Sequence, residues 1–300
     1  MAIVERATVR SGIEVRSAGG VLVAGLALIW GSNFLWIKVA LGAFSPVQLT
    51  VARMVLGALV LLVVVAVRRE RLPRGVGVWG HLVVAALVAN AVPYLLFAVG
   101  ETRVDSGVAG ALNATTPLWT LLFGRVRLAG RRVAGLVLGF GGALAIFAPW
   151  SAGAIDTLGA LYCLLAAVSY GLSYQYLSRF LAPRDLSPTV LSAGQLVAAS
   201  GLTALALPLD TAGVPGWAPG PWAALAVLGV VGTGLAFVVN YALIRSEGAV
   251  GASVVTYLVP VASVGLGFVV LGETLPAWTV AGVAGVLAGV WLSRSRRLGE

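Results

Sequence analysis

Ten apolar runs of roughly 20 residues follow one another along the chain, each long enough to cross the hydrocarbon core of a bilayer as a helix. They fall at 20 to 41, 46 to 67, 78 to 100, 104 to 124, 131 to 149, 157 to 179, 188 to 207, 221 to 244, 249 to 271 and 277 to 293. The gaps between them alternate in charge. One set carries Arg6, Arg10 and Arg16; Arg68, Arg69, Arg71 and Arg74; Arg125, Arg127, Arg131 and Arg132; Arg179 and Arg184; Arg245; and Arg294, Arg296 and Arg297. The other set, at 42 to 45, 101 to 105, 150 to 156, 208 to 220 and 272 to 276, holds only Arg103. Cytoplasmic loops concentrate Lys and Arg, so the arginine-rich side is expected to be cytoplasmic, with both termini there. One span miscounted would break the alternation for every later gap, yet it persists to the C-terminus.

The two halves repeat. Ser45-Pro46 recurs as Ser187-Pro188, and seven residues beyond each proline stand Arg53 and Gln195, both at an offset of 142. The stretch from Ala109 to Pro117 aligns with Ala252 to Pro260 at an offset of 143, pairing Asn113 with Thr256. Trp30-Gly31 matches Tyr170-Gly171, and Ala134-Gly135 with Gly142 matches Ala281-Gly282 with Gly289. The repeat is five spans long, residues 18–150 and 155–296, after a tail at 1–17 whose mixed charges and lack of an apolar centre suit a cytoplasmic segment better than a signal peptide. Five is odd, so the second copy is expected to enter the membrane from the opposite side. The predicted fold is an all-α membrane protein of ten transmembrane helices, two inverted five-helix repeats around a central cavity, with a solute site where the copies meet near mid-bilayer. The alternative is that duplication only reflects how long membrane proteins arise, channels and membrane enzymes included.

Composition narrows the chemistry. With 59% apolar and 10% charged residues and a mean hydropathy of +0.99, the chain is far from a soluble domain. The formal charge of +9 follows from loops that face anionic lipid and does not call for nucleic acid. The lone Cys163 cannot form an internal disulfide. No Gly-x-x-x-x-Gly-Lys-Ser/Thr phosphate loop is present, so ATP is not expected to drive the protein. One histidine, one cysteine and scattered acids offer no metal cluster, and no cofactor or enzymatic activity is expected. Every Asp and Glu lies at a span edge, in a loop or in a tail, which points to gradient-driven transport without obligatory proton or sodium coupling. His81, near the cytoplasmic mouth of the third span, is either a simple interfacial residue or a pH sensor.

Two basic side chains lie inside spans, Lys38 and Arg53, where burial costs about 2.5 to 3.5 kcal/mol on insertion scales. They sit at similar outer depth on consecutive helices. Either they attract a substrate carboxylate, or Lys38 snorkels to the interface and Arg53 ties down a neighbouring span, the role its counterpart Gln195 suggests for both copies. Polar and aromatic residues near mid-span are the other substrate-site candidates: Trp30, Asn33, Asn90, Tyr94, Asn113, Thr116, Trp119, Tyr170, Ser173, Tyr174, Asn240, Tyr241, Thr256 and Tyr257. Asparagine in hydrocarbon needs partners for both ends of its amide, so this set implies a wet cavity or an interhelical network. Amides beside aromatic faces suit a small zwitterion with an apolar side chain, although the same residues also glue helices together. About half of the set is expected to touch the cavity. Pro93, Pro117 and Pro260 can kink their spans. Glycines 135, 139 and 142 with 282, 285 and 289 make a close-packing face, between two helices or between protomers. Trp217 and Trp222 are expected to anchor the long 208–220 loop at the interface.

Taken together, Trp30-Gly31-Ser32-Asn33-Phe34 with Lys38, then Pro46 and Arg53, then the Ala-rich run ending in Pro117, with weaker copies in the second half, resemble the EamA type of the drug/metabolite transporter superfamily. The resemblance covers both repeats. It implies a basket of helices from spans 1 to 4 and 6 to 9 around a cavity, with spans 5 and 10 peripheral. Gln195 in place of the arginine, and Ser178 roughly where a second Lys38 would stand, depart from the pattern. The ten-span exporters of this family include the YddG-type amino-acid exporters. The implied function is an inner-membrane secondary transporter that exports small neutral solutes, aromatic and neutral amino acids foremost, by alternating access. Its implied partners are that solute and the lipid bilayer, with a monomeric transport unit. Export of hydrophobic cations or other metabolites is the runner-up, and a channel the rival from another class.

Overall fold

A computed structural model describes residues 20–33, 35–37, 39–104, 106–124, 130–147, 156–271 and 277–294. The described residues form helices and short connections, with no strand among them. Helix α1 is Gly20–Ile37, α2 Pro46–Val67 and α3 Val76–Gly100. Helix α4 comes in two pieces, Ser106–Asn113 and Thr116–Gly124, and α5 is Gly130–Phe147. Helix α6 is Thr157–Leu181 and α7 Pro188–Ala204. Helices α8 (219–247) and α9 (249–271) meet at Gly248, and α10 is Ala277–Arg294. Among the described residues, six helices are long and apolar enough to cross a membrane, namely α1, α2, α3, α6, α7 with its extension to Leu209, and the stretch Pro219–Ser253; Ala277–Ser293 is apolar but shorter.

Local chemistry sets several helix ends. Ser45 caps α2 in a box with Gln48, and Ser187 caps α7 through the Val190 amide, each followed by a proline whose missing N–H is not needed in a first turn. Asp156 caps α6 through the Gly159 amide. Gly248 has φ 73° and ψ 176°, a left-handed conformation that glycine adopts without penalty, and there α8 gives way to α9. The fourth and ninth helices behave differently at their prolines. Before Pro117 the chain breaks into a turn at Ala114 and Thr115, whereas Pro260 is carried inside Val255–Leu271. Pro93 follows a π-helical turn, Leu87–Ala91, in which the Val92 amide bonds back to the Leu87 carbonyl. Further π turns occur at Leu177–Leu181 in α6 and Val230–Leu235 in α8. Such turns shift the helix face by part of a turn and are frequent at functional sites.

In lipid no hydrophobic force draws helices together, so close approach depends on small residues and hydrogen bonds. Helices α5 and α10 meet on their glycines. A side chain at Gly142 would run into the Gly282 carbonyl and one at Gly135 into that of Gly289, both at 2.7 Å, so this face joins two helices of one chain. Helices α2 and α7 lie antiparallel. Ser45 Oγ donates to Asp210 Oδ2 at one end, and Ser187 Oγ donates to Glu70 Oε2 at the other. Gly57 of α2 faces the Gly229 carbonyl of α8. Helix α6 packs beside α3 and α4, with Cys163 buried against Gly100 and Ser169 Oγ bonded to the Val88 carbonyl at the π turn of α3. Large apolar side chains cover the outside, among them Leu59, Val63, Leu161, Leu165 and Leu172, a surface suited to lipid.

Candidate functional site

A cavity of about 110 Å³ opens between α1, α2, α3, α4, α6, α8 and α9. It has room for several waters or a small solute. Each helix presents one face to it, with residues three or four apart, the spacing that stacks side chains on one side of a helix. Helix α1 contributes Trp30, Asn33 and Ile37; α2 contributes Leu49, Thr50 and Arg53; α3 contributes Ala89, Tyr94, Phe97, Ala98 and Glu101. Asn113 enters just before the break in α4. Tyr170, Ser173, Tyr174 and Leu177 come from α6, Phe237 and Asn240 from α8, and Thr256 and Val259 from α9. The lining reaches Ile37, Leu49 and Glu101, beside the α1–α2 and α3–α4 turns, but stops at Leu177 and Asn240 toward the other end.

One wall is aromatic. Tyr170 meets Tyr94 edge-on at 6.4 Å and stacks with Phe97 at 5.9 Å. The Arg53 guanidinium lies 4.4 Å above the Tyr94 ring, and its Nε donates to Thr233 Oγ1 at 3.1 Å. Four buried polar atoms on the lining have no hydrogen-bond partner: Arg53 Nη2, Asn33 Oδ1, Asn240 Oδ1 and Tyr174 Oη. A buried polar atom left unpaired costs about 1 to 3 kcal/mol, so these groups call for water or solute. Donor and acceptor are both on offer. Other lining hydroxyls are already engaged with their own helix, Thr50 to the Pro46 carbonyl, Ser173 to that of Tyr170 and Thr256 to that of Ser253.

Trp30, Asn33, Tyr94, Asn113, Tyr170, Ser173, Tyr174, Asn240 and Thr256 thus share one lining, while five other candidates stand elsewhere. Asn90 and Tyr241 belong to a buried network behind the cavity. Gln195 Nε2 donates to Asn90 Oδ1 at 2.6 Å, Tyr241 Oη donates to Gln195 Oε1 at 2.5 Å, and Asn90 Nδ2 reaches Met54 Sδ at 3.7 Å. Tyr257 turns away to pack against Gly139 of α5. Beyond the α4 break, Trp119 bonds back to Thr115 Oγ1 at 3.0 Å and Thr116 to Asn113 Oδ1 at 3.4 Å. Lys38 lies outside the described residues. Arg53, weighed from the sequence either as a carboxylate-attracting group or as a strut, lines the cavity, and so do Thr50, Phe97 and Glu101, which were not among the candidates. Phe97 and Glu101 lie three and seven residues beyond Tyr94, and following that stripe along α3 finds them. Glu101 also corrects the expectation that acids at span edges stay away from the transport path, because this C-cap residue, directly after α3, lines the cavity. Among the described residues, no three His, Cys, Asp or Glu side chains converge as metal ligands would.

Away from the cavity, beyond Leu177, the helix ends are tied together. His81 Nδ1 is 2.7 Å from Tyr176 Oη, and its ring stacks on Phe180 at 4.9 Å. Arg245, at the end of α8, donates to three carbonyls of the α6–α7 connection, those of Ala182, Arg184 and Leu186. Trp222, in the first turn of α8, pairs with Trp217 of the preceding loop at 5.6 Å and with Phe44 at 4.9 Å.

The profile of the EamA-like transporter family matches this chain twice, at residues 17–148 and 157–295. The chain belongs to the EamA-like transporter family. Members of this family are membrane transporters, not enzymes, and this transporter therefore handles a small-molecule substrate in a lipid bilayer. It is 31% identical over 279 residues to a probable terminal-alkyne amino-acid exporter of Streptantibioticus cattleyicolor, covering 90% of this chain and 91% of that one. An uncharacterized inner membrane transporter of Escherichia coli, YedA, is 27% identical over 287 residues, covering 86% and 85%. The fold matches a solved crystal structure at 23% identity with a TM-score of 0.76, covering 95% of the transporter and 99% of that chain.

Proposed function

We propose that this transporter exports small neutral amino acids across the inner membrane by alternating access, binding them in the cavity between two inverted five-helix copies, residues 18–150 and 155–296. The observation that carries the reading is the cavity itself. Residues with unpartnered buried donors and acceptors share one lining with an aromatic wall, a combination that suits a zwitterion with an apolar side chain. The name of the Streptantibioticus relative, an amino-acid exporter, supports the same substrate class.

Inversion is supported by contacts that occur in pairs. Ser45 with Asp210 corresponds to Ser187 with Glu70, and Arg53 with Thr233 corresponds to Gln195 with Asn90, each residue being matched to one 140 to 143 positions away. The π turns of α3 and α8 correspond in the same way. Two similar copies of opposite orientation can exchange conformations at nearly equal energy, the physical basis of alternating access. With the arginine-rich loops and both termini cytoplasmic, the cavity is offset toward the external face, and the Arg245 and His81 contacts hold the cytoplasmic end closed. The transport unit is one chain.

The test is counterflow in proteoliposomes with radiolabelled neutral amino acids, set against a lipophilic cationic dye. Saturable amino-acid counterflow supports the reading, and flux that never saturates points to a channel. Dye exchange without amino-acid exchange rejects it in favour of cation export, a reading that Glu101 on the lining favours.

A further inference from the structure

The same place in α2 and α7 is filled by Arg53 and Gln195, and the two side chains are used differently. Gln195 is fully buried, lines no part of the cavity, and has both ends of its amide engaged by Asn90 and Tyr241. Arg53 is 3% exposed and makes the corresponding contact to the neighbouring helix through Nε and Thr233, but the residue lines the cavity and its buried Nη2 has no partner. A strut between helices needs no charge, since Gln195 bridges α7 to α3 with a neutral amide. Keeping a guanidinium at that depth with a donor unused is costly unless an anionic acceptor arrives to take it. The Tyr94 ring beneath it, 4.4 Å from Cζ, steadies the cation and leaves its outer nitrogen for a ligand.

We infer that Arg53 is the carboxylate-binding residue of the cavity and makes the site selective for solutes with a free carboxylate beside an amine. This rests on the amino-acid reading and deepens it. The amine of such a solute also has a counterpart, because Asn240 Oδ1, of a lining residue of α8, is a buried acceptor without a donor. A guanidinium takes a carboxylate through a charge-assisted hydrogen bond, and amide oxygens accept from an ammonium. An ester or decarboxylated analogue of the same side chain forfeits the first contact and keeps the second.

The experiment measures equilibrium binding to the purified full chain, with counterflow in parallel, for phenylalanine, phenylalanine methyl ester and phenethylamine, and for leucine and its methyl ester. Wild-type protein is expected to bind the acids about 10- to 100-fold more tightly than the esters and the amine, the range for a hydrogen bond to a charged group. In Arg53→Gln, which installs the second copy's residue, acid binding is expected to fall to the level of the ester while ester binding holds. A purely structural arginine would instead weaken acids and esters alike, and that result overturns the inference. Should Arg53→Gln fail to fold, the wild-type ratio decides: no preference for the free acid overturns the inference, and a tenfold preference upholds it. If wild-type protein exchanges amino acids in counterflow without discriminating against their esters, only this inference falls. If it exchanges none of them, the amino-acid reading falls as well.

Discussion

Ser45 Oγ donates a 2.7 Å hydrogen bond to Asp210 Oδ2, joining the start of α2 to the segment after α7 across 165 residues of sequence. The same hydroxyl caps α2, so one side chain both starts a helix and fixes its neighbour. Ser187 does likewise for α7 and Glu70. Ser45→Ala and Ser187→Ala are each expected to cost about 1 to 2 kcal/mol through loss of the cap and of a hydrogen bond to a carboxylate. They sit at opposite ends of the α2–α7 pair, and the double variant is expected to be additive within about 0.5 kcal/mol. Thermal unfolding in detergent checks both statements.

The α5–α10 contact depends on the absence of side chains at particular glycines. Gly142→Val places atoms against the Val286 amide and Gly282 carbonyl, so the helices must separate, at an expected cost of about 1 to 3 kcal/mol or more. Gly141→Val, one residue away on an open face, is the control and should leave the melting temperature within a degree or two. Equal destabilisation by both would remove the packing explanation.

Two asparagines are expected to respond in opposite ways. Asn240 Oδ1 has no hydrogen-bond partner within the protein, so Asn240→Ala should leave the protein without solute as stable as before or more so, while weakening amino-acid binding about tenfold. Asn90→Ala strips Gln195 Nε2 of its acceptor in the buried network, and should destabilise the fold by about 1 to 3 kcal/mol. Melting curves with and without solute separate the two effects.

Glu101 bears on the energy source. If export runs down the solute gradient alone, collapsing the pH gradient at a fixed solute gradient should change the initial rate in proteoliposomes less than about twofold, in wild type and in Glu101→Gln. A rate that collapses with the pH gradient in wild type, and becomes indifferent to it in Glu101→Gln, would make this carboxylate the coupling group.

Much of the architecture could be read before any coordinates. Long apolar runs dictate helices because lipid offers backbone groups no partner outside the chain. Ser-Pro pairs mark the starts of α2 and α7 because the serine accepts from the first turn and the proline needs no donor there. The membrane-transporter class followed from the repeat of the two halves and from the family resemblance carried by Trp30 to Phe34, Lys38, Pro46, Arg53 and Pro117. The site was only partly legible. Tyr94, Tyr170, Ser173 and Asn240 could be nominated as polar or aromatic residues in apolar surroundings, yet Asn90 and Tyr241 meet that description equally well and serve a network behind the cavity.

That the apolar runs are helical, and where α2 and α7 start, was thus determined by the amino-acid sequence, because these depend on neighbours within a few residues and on the lipid. Which way each side chain faces was decided only by tertiary structure. The π turns at 87–91 and 230–235 shift the faces of α3 and α8, and the partner that claims an amide can lie 105 residues away, as Asn90 does from Gln195. A rotation of one helix by a quarter turn exchanges cavity for core, and only the packing of all the helices together sets that angle.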